Sequence, residues 1–156
     1  MGIGRSGDRR GRDATVGRSS VWGAVSLNAS LVGKTYPPQR FRLDPDRVAA
    51  FAAVVGHPGP DVPPTLVTAP ELAAGLASVL GDPELGLDLA RVVHGEQEYE
   101  WRRPLARSET VTAEATIEDI REKGGFGFLV LRTELRSERG DTVALGRSTL
   151  IVRGDA

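Results

Sequence analysis

The apolar positions of this chain change their spacing near residue 90, from a helical period to a strand period. Before that point, Val48, Phe51, Ala52 and Val55 recur three or four residues apart, which places them on one helical face. Beyond it, apolar residues alternate with polar ones up to the C-terminus, which is the period of a half-buried strand. The pattern therefore predicts helices first and a sheet afterwards.

The first predicted helix is marked at both ends. Asp44 is the expected N-cap, Pro45 suits the first turn, and Gly56 can provide a left-handed C-terminal cap. Upstream, the segment 31–41 holds two short apolar stretches on either side of Tyr36-Pro37-Pro38. Because proline cannot donate to a strand ladder, any strand in this segment belongs at an edge or an end of the sheet.

A second helix is predicted over residues 69–80. Thr68 and Glu71 have the spacing of a capping box, and Gly81 ends the helix. After its first turn the helix is apolar on nearly every side, so we expect it to be buried all round. Its alanines and Gly75 also permit a sheet to approach its backbone closely.

Long alternating strands follow this helix. Gln97, Tyr99 and Trp101 share one face of the first, with glutamates on the other face. Turn signals at 123–125 and 139–141 make the last three strands an antiparallel meander. One face of the final strand carries small residues, which a sheet needs if it is to wrap closely around a helix. They are Ala144, Gly146 and Ser148.

The predicted order is one short strand, a capped helix, a loop, a buried helix and four long strands. This is an α+β domain in which one antiparallel sheet wraps around a central helix, the hotdog arrangement. We assign it to residues 29–156, since 156 residues suffice for one domain. Residues 1–28 are rich in Gly, Arg and Ser, and we expect them to form a disordered basic tail.

Composition excludes several classes of function. The chain has no cysteine, two histidines and a net charge of -1, so it predicts no disulfide, no thiolate nucleophile, no metal site and no nucleic-acid surface. No apolar run reaches the roughly 18 residues of a membrane span. We therefore expect a cytoplasmic protein that binds neither nucleic acid nor membrane.

Four segments resemble one family in the right order. They are VGKTY at 32–36, FAAVVG at 51–56, PPTL at 63–66 and HGEQEYEWRRPL at 94–105. The chain resembles the MaoC-like dehydratases over residues 31–153, and specifically their N-terminal, non-catalytic hotdog half. The resemblance implies reversible removal of water from a 3-hydroxyacyl thioester of acyl carrier protein or coenzyme A, as in fatty-acid or polyketide biosynthesis, without any cofactor.

Such an elimination needs a base for the alpha proton, an acid for the departing hydroxyl and donors to the thioester carbonyl. The catalytic half of the family provides base and acid in a Gly-Asp-x-Asn-Pro-x-His loop. After Gly56 this chain has His57, Gly59 and Val62 at the Asp, Asn and His positions. The resemblance thus implies that a second hotdog subunit supplies the catalytic pair, in a heterodimer with hydro-lyase activity.

His57 is a candidate base in this chain. A second dehydratase family uses His in a Phe-Pro-Gly context with Glu on the central helix, and His57-Pro58-Gly59 with Glu71 resembles that pattern. Alignment through PPTL nevertheless places Ala69 at the acidic position, and Glu71 already serves the predicted capping box. A loop histidine and a helix cap are therefore the preferred interpretation of the two residues.

Strict alternation places His94 beside Glu96 and Glu98, unless Gly95 forms a bulge that turns it to the other face. Gln97 lies on the apolar face and needs a partner there, either the thioester, the catalytic loop of a second subunit or a buried hydrogen bond. The predicted substrate-binding residues are Pro64, Thr65, Leu66, Leu72, Leu76, His94, Gly95 and Gln97.

Two further functions stay open at this point. One is a self-sufficient homodimeric hydratase, dehydratase or thioesterase that uses His57 or His94. The other is a non-enzymatic module that binds acyl thioesters or acyl carrier protein.

Overall fold

The computed structural model describes residues 27–154, which form one five-stranded antiparallel sheet and a central helix. The strands are β1 (Gln39–Arg42), β2 (Val92–Trp101), β3 (Thr110–Lys123), β4 (Phe126–Ser137) and β5 (Thr142–Arg153). Their order in the sheet is β1-β3-β4-β5-β2, so β1 and β2 are the two edges. This confirms the predicted α+β architecture, with β1 at an edge and a meander of the last three strands.

Helix α1 (Pro45–Val54) begins as predicted. The Asp44 carboxylate accepts from two backbone amides of the first turn, at 2.9 and 3.0 Å. Gly56 follows the helix with φ +66°, a conformation that glycine adopts without steric cost. Val48 and Ala52 are buried, but the exposed Val55 shows that the predicted apolar face ends a turn early.

The central helix spans 68–80 in three consecutive pieces. They are α2 (Thr68–Pro70), a π-helical segment (Glu71–Leu76) and α3 (Ala77–Leu80). The prediction that this helix is buried all round is wrong, because Leu72, Ala73 and Ala77 are exposed. A π-helical turn forms i→i+5 hydrogen bonds, so its side chains depart from the period used for the prediction.

The central helix packs closely on the sheet. A Cβ atom on Gly75 would lie 2.9 Å from Thr133 Cγ2 of β4, nearer than real Cβ contacts. This confirms that small helix residues let the sheet approach. The core between helix and sheet includes Leu76, Val79, Ala74, Ala113, Ile117, Leu131, Leu135 and Leu150.

A polar cluster anchors the chain ahead of β1 to the end of the central helix. Asp82 Oδ2 accepts from Lys34 Nζ at 2.8 Å and from the Tyr36 hydroxyl at 2.6 Å. These two donors lower the pKa of the Asp82 carboxyl to about 2. Burial and the Asp82 carboxylate raise the pKa of the Tyr36 phenol above its usual range.

Most of the predicted tail, residues 1–26, lies outside the described residues, and its disorder stays a prediction. Its last two residues contact the domain. Leu27 is buried in the core, and the Asn28 backbone N–H donates to the Leu85 carbonyl at 3.1 Å. Within 27–154, the helices are all too short or too polar to cross a membrane.

Candidate functional site

A pocket of about 300 Å³ opens between the central helix and strands β2 and β5. Its walls are mostly apolar, with three polar side chains grouped on β2 and β5. The apolar residues are Leu72, Leu76, Leu80, Leu89, Val92 and Leu150, and the polar ones are His94, Gln97 and Ser148. We refer to this cavity as the helix–sheet pocket.

A bulge at Gly95 brings His94 into the helix–sheet pocket. The pairing of β2 with β5 shifts register between His94 and Glu96. A Cβ atom on Gly95 would lie 2.8 Å from Ile151 Cδ1, so glycine allows this close crossing. His94 is thereby turned to the face of Gln97, with 3.2 Å between His94 Nε2 and Gln97 Oε1.

A carboxylate lies buried behind these polar groups. Glu71, in the π-helical segment, is only 2% exposed. Its Oε1 accepts from Ser148 Oγ at 2.9 Å and from Gln97 Nε2 at 3.2 Å, and its Oε2 accepts from the Tyr99 hydroxyl. The capping-box prediction is therefore wrong, because the Glu71 side chain is turned into the sheet and Thr68 Oγ1 donates to the Thr65 carbonyl instead.

Tyr99 donates to the second oxygen of the Glu71 carboxylate. Burial and the hydrogen bond to Glu71 raise the pKa of the Tyr99 phenol above its usual range. The phenol therefore remains a protonated donor throughout the neutral range. Gln97, predicted to need a partner on the apolar face, has Glu71 and Ser148 as partners.

The structure gathers half of the predicted substrate-binding residues in one place. Leu72, Leu76, His94 and Gln97 line the helix–sheet pocket, and Gly95 shapes the strand beside it. Three others do not line it. Pro64 borders a second cavity of about 340 Å³ with Trp101, Leu66 borders a third beside α1, and Thr65 is exposed.

His57, the candidate base, does not line the helix–sheet pocket. It follows α1, and its ring atom Nε2 is buried without a hydrogen-bond partner among residues 27–154. Val62, which occupies the family's histidine position, is also buried. The helix–sheet pocket thus contains one imidazole, that of His94.

The sequence did not indicate Glu71 and Ser148 as members of one polar network. The sequence pattern assigns Ser148 only to the small face of β5. The two residues are 77 positions apart: packing of the central helix on the sheet brings Ser148 to Glu71, and the pairing of β5 with β2 sets it opposite Gln97. One feature of the sequence could have indicated the network. Glu71 is an acidic residue in a helix that is otherwise apolar beyond its first turn, and an acidic side chain is seldom buried without polar partners.

Comparison with known proteins agrees with this architecture. Residues 44–145 match the family model described as FAS1-like, dehydratase domain region. The chain belongs to this family. A relative from Streptomyces coelicolor, named as a UPF0336 protein, is 33% identical and covers 83% of this chain and 97% of its own length.

Two solved structures share the fold of this member of the dehydratase-region family. The C-terminally truncated HadBC (3R-hydroxyacyl-ACP dehydratase) complex of Mycobacterium tuberculosis contains a chain with TM-score 0.65 and 21% identity, over 78% of this chain and 96% of that one. A MaoC-like dehydratase of Rhodospirillum rubrum has TM-score 0.58 and 16% identity, over 85% and 99%. The hotdog fold and the resemblance to MaoC-like dehydratases are thereby confirmed.

Proposed function

We propose that this chain is the acyl-binding subunit of a heteromeric 3-hydroxyacyl-thioester dehydratase. A second hotdog subunit supplies the Asp and His that remove water, from a substrate carried on acyl carrier protein or coenzyme A. The observation that carries this proposal is the helix–sheet pocket, whose walls are mostly apolar and whose polar side chains include His94 and Gln97 of the edge strand β2.

The lining of the pocket suits an acyl chain. Six aliphatic side chains surround it, and each methylene of a ligand that leaves water there gains about 0.8 kcal/mol. Such a pocket binds alkyl chains without recognising polar detail along their length. His94, Gln97 and Ser148 then provide the polar contacts that orient the functional end of the ligand.

The edge of the sheet beside the pocket suits a partner subunit. Strand β2 pairs with β5 on one side and ends the sheet on the other. Leu72, Leu89 and Val93 around this edge are 53%, 56% and 49% exposed, which leaves an exposed apolar patch. A second chain that pairs along β2 would cover both the open edge and this patch.

The missing catalytic pair supports division of the chemistry between two chains. His57 and Val62 replace the family's Asp and His, and neither lines the helix–sheet pocket. The HadBC structure, similar in fold, is by its name a complex. A chain that binds the substrate beside a catalytic partner accounts for both facts.

The test is to express the chain alone and together with a hotdog protein encoded beside it, and to measure dehydration of a 3-hydroxyacyl thioester. We expect activity only in the co-purified complex. Val93→Lys, at the edge strand, should abolish co-purification, whereas Val54→Lys, at an exposed position of α1, should preserve it. Full activity of the single purified chain would refute the proposal.

A self-sufficient enzyme is the second candidate, because His94 and the buried Glu71 network meet at the helix–sheet pocket. It predicts activity of the isolated chain that is lost in His94→Ala. Acyl-thioester binding without activity in any combination would instead identify a binding module.

A further inference from the structure

We propose that Glu71 is a positioning residue that acts through Gln97 to fix the tautomer of His94, so that His94 Nδ1 is a hydrogen-bond acceptor for the hydroxyl group of the acyl ligand. The identity of that ligand rests on the function proposed above. The tautomer itself follows from the hydrogen bonds of this chain alone.

The first step is the orientation of the Gln97 side chain. Its amide nitrogen lies 3.2 Å from Glu71 Oε1 and 3.3 Å from the backbone carbonyl of Glu98. A backbone carbonyl only accepts hydrogen bonds, and so does a carboxylate, so both protons of the amide are used. The amide nitrogen of Gln97 is therefore directed to Glu71, and its oxygen is directed away.

The second step is the proton on His94. Gln97 Oε1 lies 3.2 Å from His94 Nε2 and 2.6 Å from Ser148 Oγ. An amide oxygen has no proton to donate, so this contact with His94 is a hydrogen bond only when Nε2 carries the proton. A neutral imidazole has one N–H, which leaves Nδ1 as an acceptor.

Glu71 is held by its own partners. Tyr99 donates to Glu71 Oε2 and Gln97 Nε2 donates to Glu71 Oε1, so the carboxylate cannot rotate without breaking two hydrogen bonds. The Ser148 hydroxyl lies 2.9 Å from Glu71 Oε1 and 2.6 Å from Gln97 Oε1, and its one proton serves one of these acceptors at a time. Glycine at position 146 leaves room for the carboxylate, since a Cβ there would lie 2.9 Å from Glu71 Oε1. The orientation of Glu71 is thereby transmitted through Gln97 to an exposed ring that lines the helix–sheet pocket.

An acceptor at this place selects for a donor on the ligand. The carbonyl of a thioester cannot donate, whereas the hydroxyl of a 3-hydroxyacyl group can. A coenzyme A carrier has amide donors of its own, but these are the same for hydroxylated and saturated acyl groups. The difference in affinity between the two ligands therefore isolates the hydroxyl contact.

The tautomer is tested by nitrogen NMR on the untagged full chain at about pH 8.5, under alkaline conditions that favour a neutral imidazole. The chain has two histidines, so His57→Gln assigns the remaining signals to His94. We expect the wild-type His94 to be protonated on Nε2. Protonation of His94 mainly on Nδ1 would overturn the proposal by itself, and this result needs no substitution in the Glu71–Gln97 network.

The role of Glu71 is tested with Glu71→Met, which keeps an unbranched side chain of similar length but removes both acceptor oxygens. We expect His94 to become a mixture of tautomers. The control Glu96→Met makes the same change at an exposed position of β2 and should leave the His94 spectrum unchanged. If Glu71→Met retains the wild-type tautomer, Glu71 is not a positioning residue.

The ligand is tested by calorimetry with 3-hydroxyoctanoyl-CoA and octanoyl-CoA. We expect wild type to prefer the hydroxylated ligand by about fivefold to tenfold, the value of one hydrogen bond. Glu71→Met, with its mixture of tautomers, should show a smaller preference while still binding octanoyl-CoA. Equal binding of both by wild type overturns the hydroxyl contact. Binding of neither overturns the proposed acyl-binding function, whereas the tautomer result stands separately.

Discussion

Gly146 of β5 lies directly against the Glu71 carboxylate, so that a single added carbon would lie 2.9 Å from Glu71 Oε1. The same carbon would lie 3.2 Å from Tyr99 Cε1. The small face of the last strand, predicted as a requirement for close wrapping, thus also provides the space in which the buried carboxylate meets its donors.

Gly146→Ala should therefore destabilise the protein. The new methyl group must displace Glu71 from Ser148 and Gln97, and overpacking of this kind costs about 1–3 kcal/mol. The measurement is the free energy of unfolding in urea. In a Glu71→Ala background the same substitution should cost much less, because the obstructing carboxylate is gone. An equal cost in both backgrounds would contradict the contact.

Gly75→Ala tests the other close approach of helix and sheet. Its methyl group would meet Thr133 Cγ2 at 2.9 Å, so we expect a loss of about 1–3 kcal/mol and a melting temperature lower by about 2–4 °C per kcal/mol. Thr133→Ser removes that methyl group and keeps the hydroxyl. The double variant should regain most of the stability that Gly75→Ala loses. If it regains none, the added methyl group does not clash with Thr133.

The elements of this fold were predictable because their signals are local. Asp44, Pro45 and Gly56 mark α1, the alternation of Gln97, Tyr99 and Trp101 defines the inner face of β2, and the glycine turns fix the meander. Each signal depends on residues a few positions apart. The central helix and the meander of the last three strands follow from them, whereas the position of β2 beside β5 does not.

The candidate site was less predictable because it depends on distant residues and local irregularities. The π-helical segment changes which residues of the central helix face inwards, and it turns Glu71 from an expected cap into a buried carboxylate. The sequence makes a Gly95 bulge the condition for the orientation of His94, but only the pairing of β2 with β5 determines that the bulge forms. The contact of Glu71 with Ser148 depends on the packing of the central helix on the sheet, between residues far apart in the chain.

Alkaline titration tests the burial of both tyrosines. The chain contains two, Tyr36 and Tyr99, and the fold raises the pKa of each phenol. The stability that this contributes is complete below the ordinary phenol pKa of about 10 and is lost as the pH rises from there towards the folded pKa. Absorbance spectra should show no phenolate near pH 10 until the chain unfolds. Phenolate formation in the folded chain at that pH would contradict either environment.

Asp82→Asn tests the cluster that anchors the segment before β1. The pKa of Asp82 is lowered to about 2 by Lys34 and Tyr36, so its contribution to stability is present above the ordinary Asp pKa of about 3.9 and is lost as the pH falls towards 2. The variant should be less stable than wild type in urea at pH 7, and the difference should shrink to a small fraction as the pH approaches 2. Asp119→Asn, whose pair with Arg121 is exposed, serves as control and should change stability much less. A difference for Asp82→Asn that persists unchanged at low pH would show that the carboxylate charge is not its origin.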